Sequence, residues 1–150
     1  MTGGDFEVRP HFERRFRVSE SLVQRFVRLT GDSNPLHRDP GYAATTRFGR
    51  CVVPGMLLGS FVAGVLGSDF PGTGTVLVSH SLRFRRPVFV GEEVVVGVAV
   101  AEAVEGGRLR LAVTVSAVGG EVAVTGQAVV VPPSGFLSGG RAGDHRQASP

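Results

Sequence analysis

The sequence predicts an α+β protein, an antiparallel β-sheet wrapped around one long buried helix. Two observations predict it. After Phe70 the chain runs through four successive strand-like stretches with apolar residues at alternate positions and turn residues between them. Upstream, the stretch "CVVPGMLLGSFVAGVLG", Cys51 to Gly67, carries no charge and is apolar on nearly every helical face. Such a helix must be enclosed by other structure. It is shorter than the roughly 20 residues a membrane span needs, and Pro54 lies inside it. It is therefore expected to be a core helix, with no membrane role.

The elements follow in order. "HFERRFRVSE" alternates loosely and reads as an opening strand. Ser19 supplies a helix N-cap, and Leu22, Phe26 and Leu29 fall at i, i+4 and i+7 as the expected apolar face. Gly31 is placed to stop that helix. Asp39 and Pro40 form a cap and first-turn proline, so "PGYAATTRF" is expected to be a short helix ending at Gly49. Pro54 opens the apolar helix, which runs to about Gly67.

In the first later strand Val76, Val78, His80, Leu82 and Phe84 share a face, and Val94, Val96, Val98 and Val100 do so in the next. Leu109, Leu111, Val113 and Val115 mark the third, and "GGEVAVTGQAVVV" gives the last before Pro132-Pro133 ends it. All four are expected to be linked by hairpins. A sheet curled around a single helix is a hot-dog arrangement. The domain is expected over residues 1–133, with the Gly/Ser-rich segment 134–150 as a disordered tail.

Composition sets bounds on function. The chain has 150 residues, enough for one domain with a real core, and its hydrophobic and charged fractions of 42% and 19% suit a globular protein. The pI near 10.4 exceeds what a net charge of +3 suggests because every basic residue is arginine and little titrates below it. The arginines are scattered apart from Arg83, Arg85 and Arg86, with no aromatic platform beside them, so no nucleic-acid partner is expected. A single cysteine, Cys51, excludes an internal disulfide and suits a reducing, cytoplasmic setting. The N-terminus shows no secretory pattern.

The chemistry concentrates in "LTGDSNPLHRDP", Leu29 to Pro40. Three readings stand. Asp32 and Asn34 are good turn formers, and His37 fits a satisfied loop histidine. A metal site would draw on Asp32, His37 and Asp39, but catalytic zinc favours His-rich sets, and His11, His80 and His145 lie in unrelated contexts; no metal is expected. Asp39 belongs to its helix cap. In the third reading Asp32 and His37 hold a water between them, and the imidazole takes and returns a proton near neutral pH. Gly55, at the start of the apolar helix, then offers a free backbone N–H to a carbonyl oxygen gaining negative charge. With no side chain there, the carbonyl can come close.

Three motifs, "GDSNPLHRDPGYAATTRFG", "VPGMLLGS" and "SLRFRRPVFVGEEV", occur in order. Together they resemble the MaoC-like hydratase group, and most of all its (R)-specific enoyl-CoA hydratases, over Val18 to Val131. The resemblance implies a hot-dog fold, a homodimer whose sheets join side by side, and no cofactor or metal. It implies Asp32 and His37 as the catalytic pair and Gly55 as the oxyanion glycine. The implied reaction is syn addition of water to a trans-2-enoyl thioester, giving the (R)-3-hydroxyacyl product, and its reverse. Many relatives carry histidine where this chain has Pro54; since the donor is backbone, little should change.

Asn34 and Ser60 are further candidates for substrate contact, though a helix serine also bonds its own i−4 carbonyl. His80 is expected to be a hydrogen-bonded core histidine. The Arg83, Arg85 and Arg86 group either meets the phosphates of coenzyme A or an acidic carrier protein, or is a set of solvated strand-end charges. An acyl-carrier-protein dehydratase and a non-catalytic thioester-binding or stabilising hot-dog subunit are the alternative functions. A thioesterase on the same fold fits the loop less well.

Overall fold

The computed structural model describes residues 12–138. Strand β1 (Phe12–Arg17) leads into helix α1 (Glu20–Thr30). The Ser19 hydroxyl accepts the Leu22 N–H at 3.2 Å, and Gly31 ends the helix with φ 71°, a left-handed value that glycine adopts without penalty. Both helix limits match the sequence reading, but the buried face does not. Val23 and Val27 are the buried residues, while Leu22 and Phe26 are only partly covered and Leu29 is 84% exposed. The helix is thus rotated so that its two valines join Val18 in the core.

A single 3-10 turn (Pro35–His37) and helix α2 (Pro40–Ala44) follow. Asp39 caps α2 by accepting the Tyr42 N–H at 3.1 Å. The helix ends well short of Gly49. Thr45 and Thr46 donate their hydroxyls to the carbonyls of Tyr42 and Ala43, both at 2.7 Å, which offers the backbone an alternative to continuing. Turns carry the chain on to Arg50.

Helix α3 (Gly55–Ser68) is the apolar helix. Leu57, Leu58, Phe61, Val62, Val65 and Leu66 are buried. Phe61 stacks on Phe16 of β1, with ring centroids 4.4 Å apart and planes within 9°. The enclosure is one-sided, contrary to expectation: Met56, Ser60, Ala63, Gly64 and Gly67 are exposed along the other flank.

Strands β2 (Val76–Phe84), β3 (Glu93–Val104), β4 (Arg108–Ala117) and β5 (Val122–Val131) complete a five-stranded antiparallel sheet of order β1-β3-β4-β5-β2. Val94, Val96 and Val98 of β3, with Leu111, Val113 and Val115 of β4, are fully or almost fully buried in the core that α3 shares. The alternation read from the sequence is the alternation of burial in β4, whereas in β3 Gly97 and Ala99 of the other face are buried too and Val100 is only partly covered. The connections differ from the reading at one point. β2 pairs with β5 rather than with β3, so the segment after Phe84 crosses to the far side of the sheet. That crossing is pinned to the stretch just before α3: Val53 N–H donates to Val88 O at 2.8 Å, and Val90 N–H to Cys51 O at 3.1 Å.

β2 is an edge strand, and no residue in it is fully buried. His80 is therefore an exposed edge-strand residue, not a core histidine. At the other end of the chain, Ser134–Ser138 form turns rather than the start of a disordered tail, and Phe136 meets the edge of Phe70 at 5.6 Å. The rest of the expected tail, and His11 and His145, lie outside the described residues.

Candidate active site

The loop between α1 and α2 is held in shape by its own polar side chains. Asp32 Oδ1 accepts the Asn34 N–H at 2.9 Å, and Asn34 Oδ1 accepts the Leu36 N–H at 3.0 Å, two successive side-chain turns. Their effect is to bring residue 37 round toward residue 32. His37 Nε2 then lies 3.5 Å from Asp32 Oδ2, with the two side chains 13% and 34% exposed. The imidazole is anchored from behind: its Nδ1 is 2.6 Å from the Val52 carbonyl.

That anchor decides the tautomer. A carbonyl oxygen only accepts, so Nδ1 carries the proton and, in the neutral ring, Nε2 presents its lone pair. Nε2 and Asp32 Oδ2 are thus two acceptors facing each other, slightly beyond ordinary hydrogen-bond length. One water could donate a proton to each. Once the ring gains a proton the same two groups form an ion pair.

Gly55 is the first residue of α3, where a backbone N–H has no intrahelical acceptor and the helix dipole presents positive charge. A β-carbon there would meet the Phe84 ring at 3.0 Å, so this spot favours glycine on packing grounds as well. Two cavities share His37 and Gly55. One, about 340 Å³, also carries Asp32, Phe26, Thr30, Pro54 and Met56. The other, also about 340 Å³, runs toward Arg47, Phe48 and Phe84.

The structure therefore brings together three of the residues singled out from the sequence, Asp32, His37 and Gly55. It does not bring Asn34 or Ser60 to either cavity. Asn34 spends its side chain on the turn, and the Ser60 hydroxyl donates to Met56 O at 2.7 Å on the exposed flank of α3. Asp39 is occupied as a cap. Among the described residues, no three of His, Cys, Asp and Glu gather as metal ligands, and no helix is long and apolar enough to cross a membrane.

Sequence reasoning did not find Val52 or Phe84. A backbone acceptor has no letter of its own, and Phe84 reaches Gly55 only through the packing of β2 on α3. Cys51 lines a third cavity with His37, about 220 Å³ in volume, but burial, then Asp39 and Glu20, push its thiol pKa up. That leaves a poor thiolate nucleophile at neutral pH.

The chain is 44% identical over 136 residues to an (R)-specific enoyl-CoA hydratase of Aeromonas caviae, covering 89% of this chain and all of that protein. It is 44% identical over 117 residues to a 3-hydroxybutyryl-CoA dehydratase of Methylorubrum extorquens, covering 77% of this chain and 74% of the other. A solved (R)-hydratase from A. caviae superposes with a TM-score of 0.77 at 41% identity, over 85% of this chain and 99% of that one. An R-hydratase from Pseudomonas aeruginosa, solved unliganded, gives 0.78 at 33% identity, over 84% and 86%. These are hot-dog neighbours, and this α+β chain shares their fold. Residues 4–121 match the MaoC like domain, and the chain belongs to that family.

Proposed function

We propose that this chain is an (R)-specific enoyl-CoA hydratase, a hydro-lyase that adds water to trans-2-enoyl-CoA and catalyses the reverse dehydration. The observation that carries the reading is the pair of opposed acceptors, His37 Nε2 and Asp32 Oδ2, beside a cavity that also carries the Gly55 helix start. The relatives named above support the substrate class.

The thioester oxygen accepts the Gly55 N–H, which draws electron density from the double bond and leaves the β-carbon electrophilic. A water held between Asp32 and His37 gives one proton to Nε2 as its oxygen bonds to the β-carbon. The electron pair of the double bond moves to an enolate whose oxygen rests on Gly55. The new imidazolium, steadied by Asp32, releases a proton to the α-carbon, and the ring returns to its starting tautomer. Hydroxyl and proton both come from one water, so the balance requires no cofactor. Asn34 serves by shaping the loop rather than by touching substrate.

A homodimer fits the same structure. The exposed flank of α3 lies beside β2, where Val76, Val78 and Phe84 are 59%, 44% and 49% exposed and the outer edge is unpaired among the described residues. A second copy would cover both. A second substrate reading is supported by a tomato mitochondrial 3-hydroxyacyl-[acyl-carrier-protein] dehydratase, 40% identical over 73 residues, which cover 49% of this chain and 43% of that one. The test is hydration of crotonyl-CoA, followed as loss of enoyl absorbance. The reading expects turnover with no added cofactor, and a folded protein that leaves the absorbance unchanged would refute it.

A further inference from the structure

The two cavities that meet at His37 and Gly55 differ in charge. The one bearing Asp32 has no arginine, whereas the other is lined by Arg47, Arg85 and Arg86 and by no carboxylate. The three arginines come from separate places. Arg47 sits in the turns after α2, and Arg85 and Arg86 follow the last residue of β2. The fold thus gathers them at one opening, leaving out Arg83, which does not line it.

None of the three is firmly committed to an acid. Arg47 is exposed and packs its guanidinium over Phe48, 4.8 Å from the ring centre, a contact that steadies the group and leaves its N–H edge free. Arg85 donates from Nε to the Thr125 hydroxyl at 3.1 Å, which leaves its terminal nitrogens available. Arg86 pairs with Glu121 at 3.2 Å, but those side chains are 62% and 69% exposed, and an ion pair so open to water is weak. A concave site lined by three such cations and no acid favours an anion with several oxygens.

We propose that Arg47, Arg85 and Arg86 form the binding rim for the phosphates of coenzyme A, so that the thioester enters the site from the Phe48 and Phe84 side. The inference rests on the hydratase reading and adds the direction of entry and the residues that distinguish coenzyme A from a phosphate-free thioester. A purely solvated set of strand-end charges would make no such distinction.

The test compares crotonyl-CoA with crotonyl-N-acetylcysteamine, which has the same reacting group and no phosphate, in the wild type and in Arg47→Gln, Arg85→Gln and the double variant. Arg47→Lys and Arg85→Lys keep the charge, and melting curves check folding. Losing a charge-assisted contact should cut the preference for crotonyl-CoA, as a ratio of kcat/KM values, about tenfold per residue. The loss should appear in KM, with partial rescue by lysine and a weaker salt dependence in the double variant. An unchanged ratio, with both substrates turned over, would overturn the rim and leave the hydratase reading standing. A wild type that hydrates neither thioester would overturn both. If the variants lost turnover only with a crotonyl carrier protein, the rim would be a protein-docking surface and the coenzyme A assignment would be wrong.

Discussion

His37 is suited to act as a base because of which nitrogen it leaves free. The Val52 carbonyl holds the proton on Nδ1, so Nε2 faces Asp32 as an acceptor. Asp32→Asn would replace a carboxylate with a neutral amide that cannot stabilise the imidazolium, and His37→Ala removes the proton carrier. Each is expected to lower kcat by about 10²–10⁴-fold, with melting little changed because neither side chain is in the core cluster. Near-wild-type turnover in a folded variant would remove the pair from the mechanism. Cys51 gives a separate check on the local environment. Burial first, then Asp39 and Glu20, hold its thiol pKa above the ordinary value. Alkylation by iodoacetamide should therefore be slow at neutral pH and quicken only above the pH at which an ordinary thiol titrates; fast labelling at pH 7 would contradict this. Asp32 and His37 were legible in the sequence because their chemistry is in their side chains and their spacing is local. Val52 was not legible, since its contribution is a carbonyl.

Helix limits were equally legible, at Ser19, Gly31, Asp39 and Pro54, because caps and breakers act within a few residues. Faces and crossings were not. The i, i+4, i+7 set in α1 looked like a core stripe, yet Val23 and Val27 are buried and Leu29 is not, which depends on the neighbours that α1 meets. The crossing from β2 to β3 was hidden for the same reason: its hydrogen bonds run to residues 51–53, far away in sequence. The β2–β5 pairing yields a prediction of its own. Gly126 lies opposite Leu82, and a β-carbon there would collide with the Ser81 carbonyl oxygen and crowd the Leu82 side chain. Gly126→Ala should cost about 1–3 kcal/mol through overpacking, read as a lower melting temperature. An unchanged melting temperature would mean that the edge pairing is looser than described. Since Phe84, the end of β2, packs on Gly55, activity should fall along with stability.

At the scale of the whole molecule, the described residues of one chain leave an apolar helix half covered. Met56 is 50% exposed, Ala63 and Gly64 are exposed two turns further along the same helix, and among the described residues β2 keeps an open edge. Pairing of two copies would remove both exposures, so light scattering at micromolar concentration should give a dimer mass. A monomer would contradict it. The sequence reading expected the sheet to enclose α3 on every side, and the open flank was not legible because hydrophobicity along a helix does not say what covers each face. The central claim is that one water, held by the Asp32–His37 pair on a thioester pinned at Gly55, supplies both groups added to the double bond. The pair occupies a single loop, so only one face of the β-carbon is presented to it. Hydration of crotonyl-CoA in deuterated water, with chiral analysis of the 3-hydroxybutyryl product, measures this directly. The account predicts the (R) alcohol with deuterium and hydroxyl added to the same face; an (S) product, or addition to opposite faces, would contradict it.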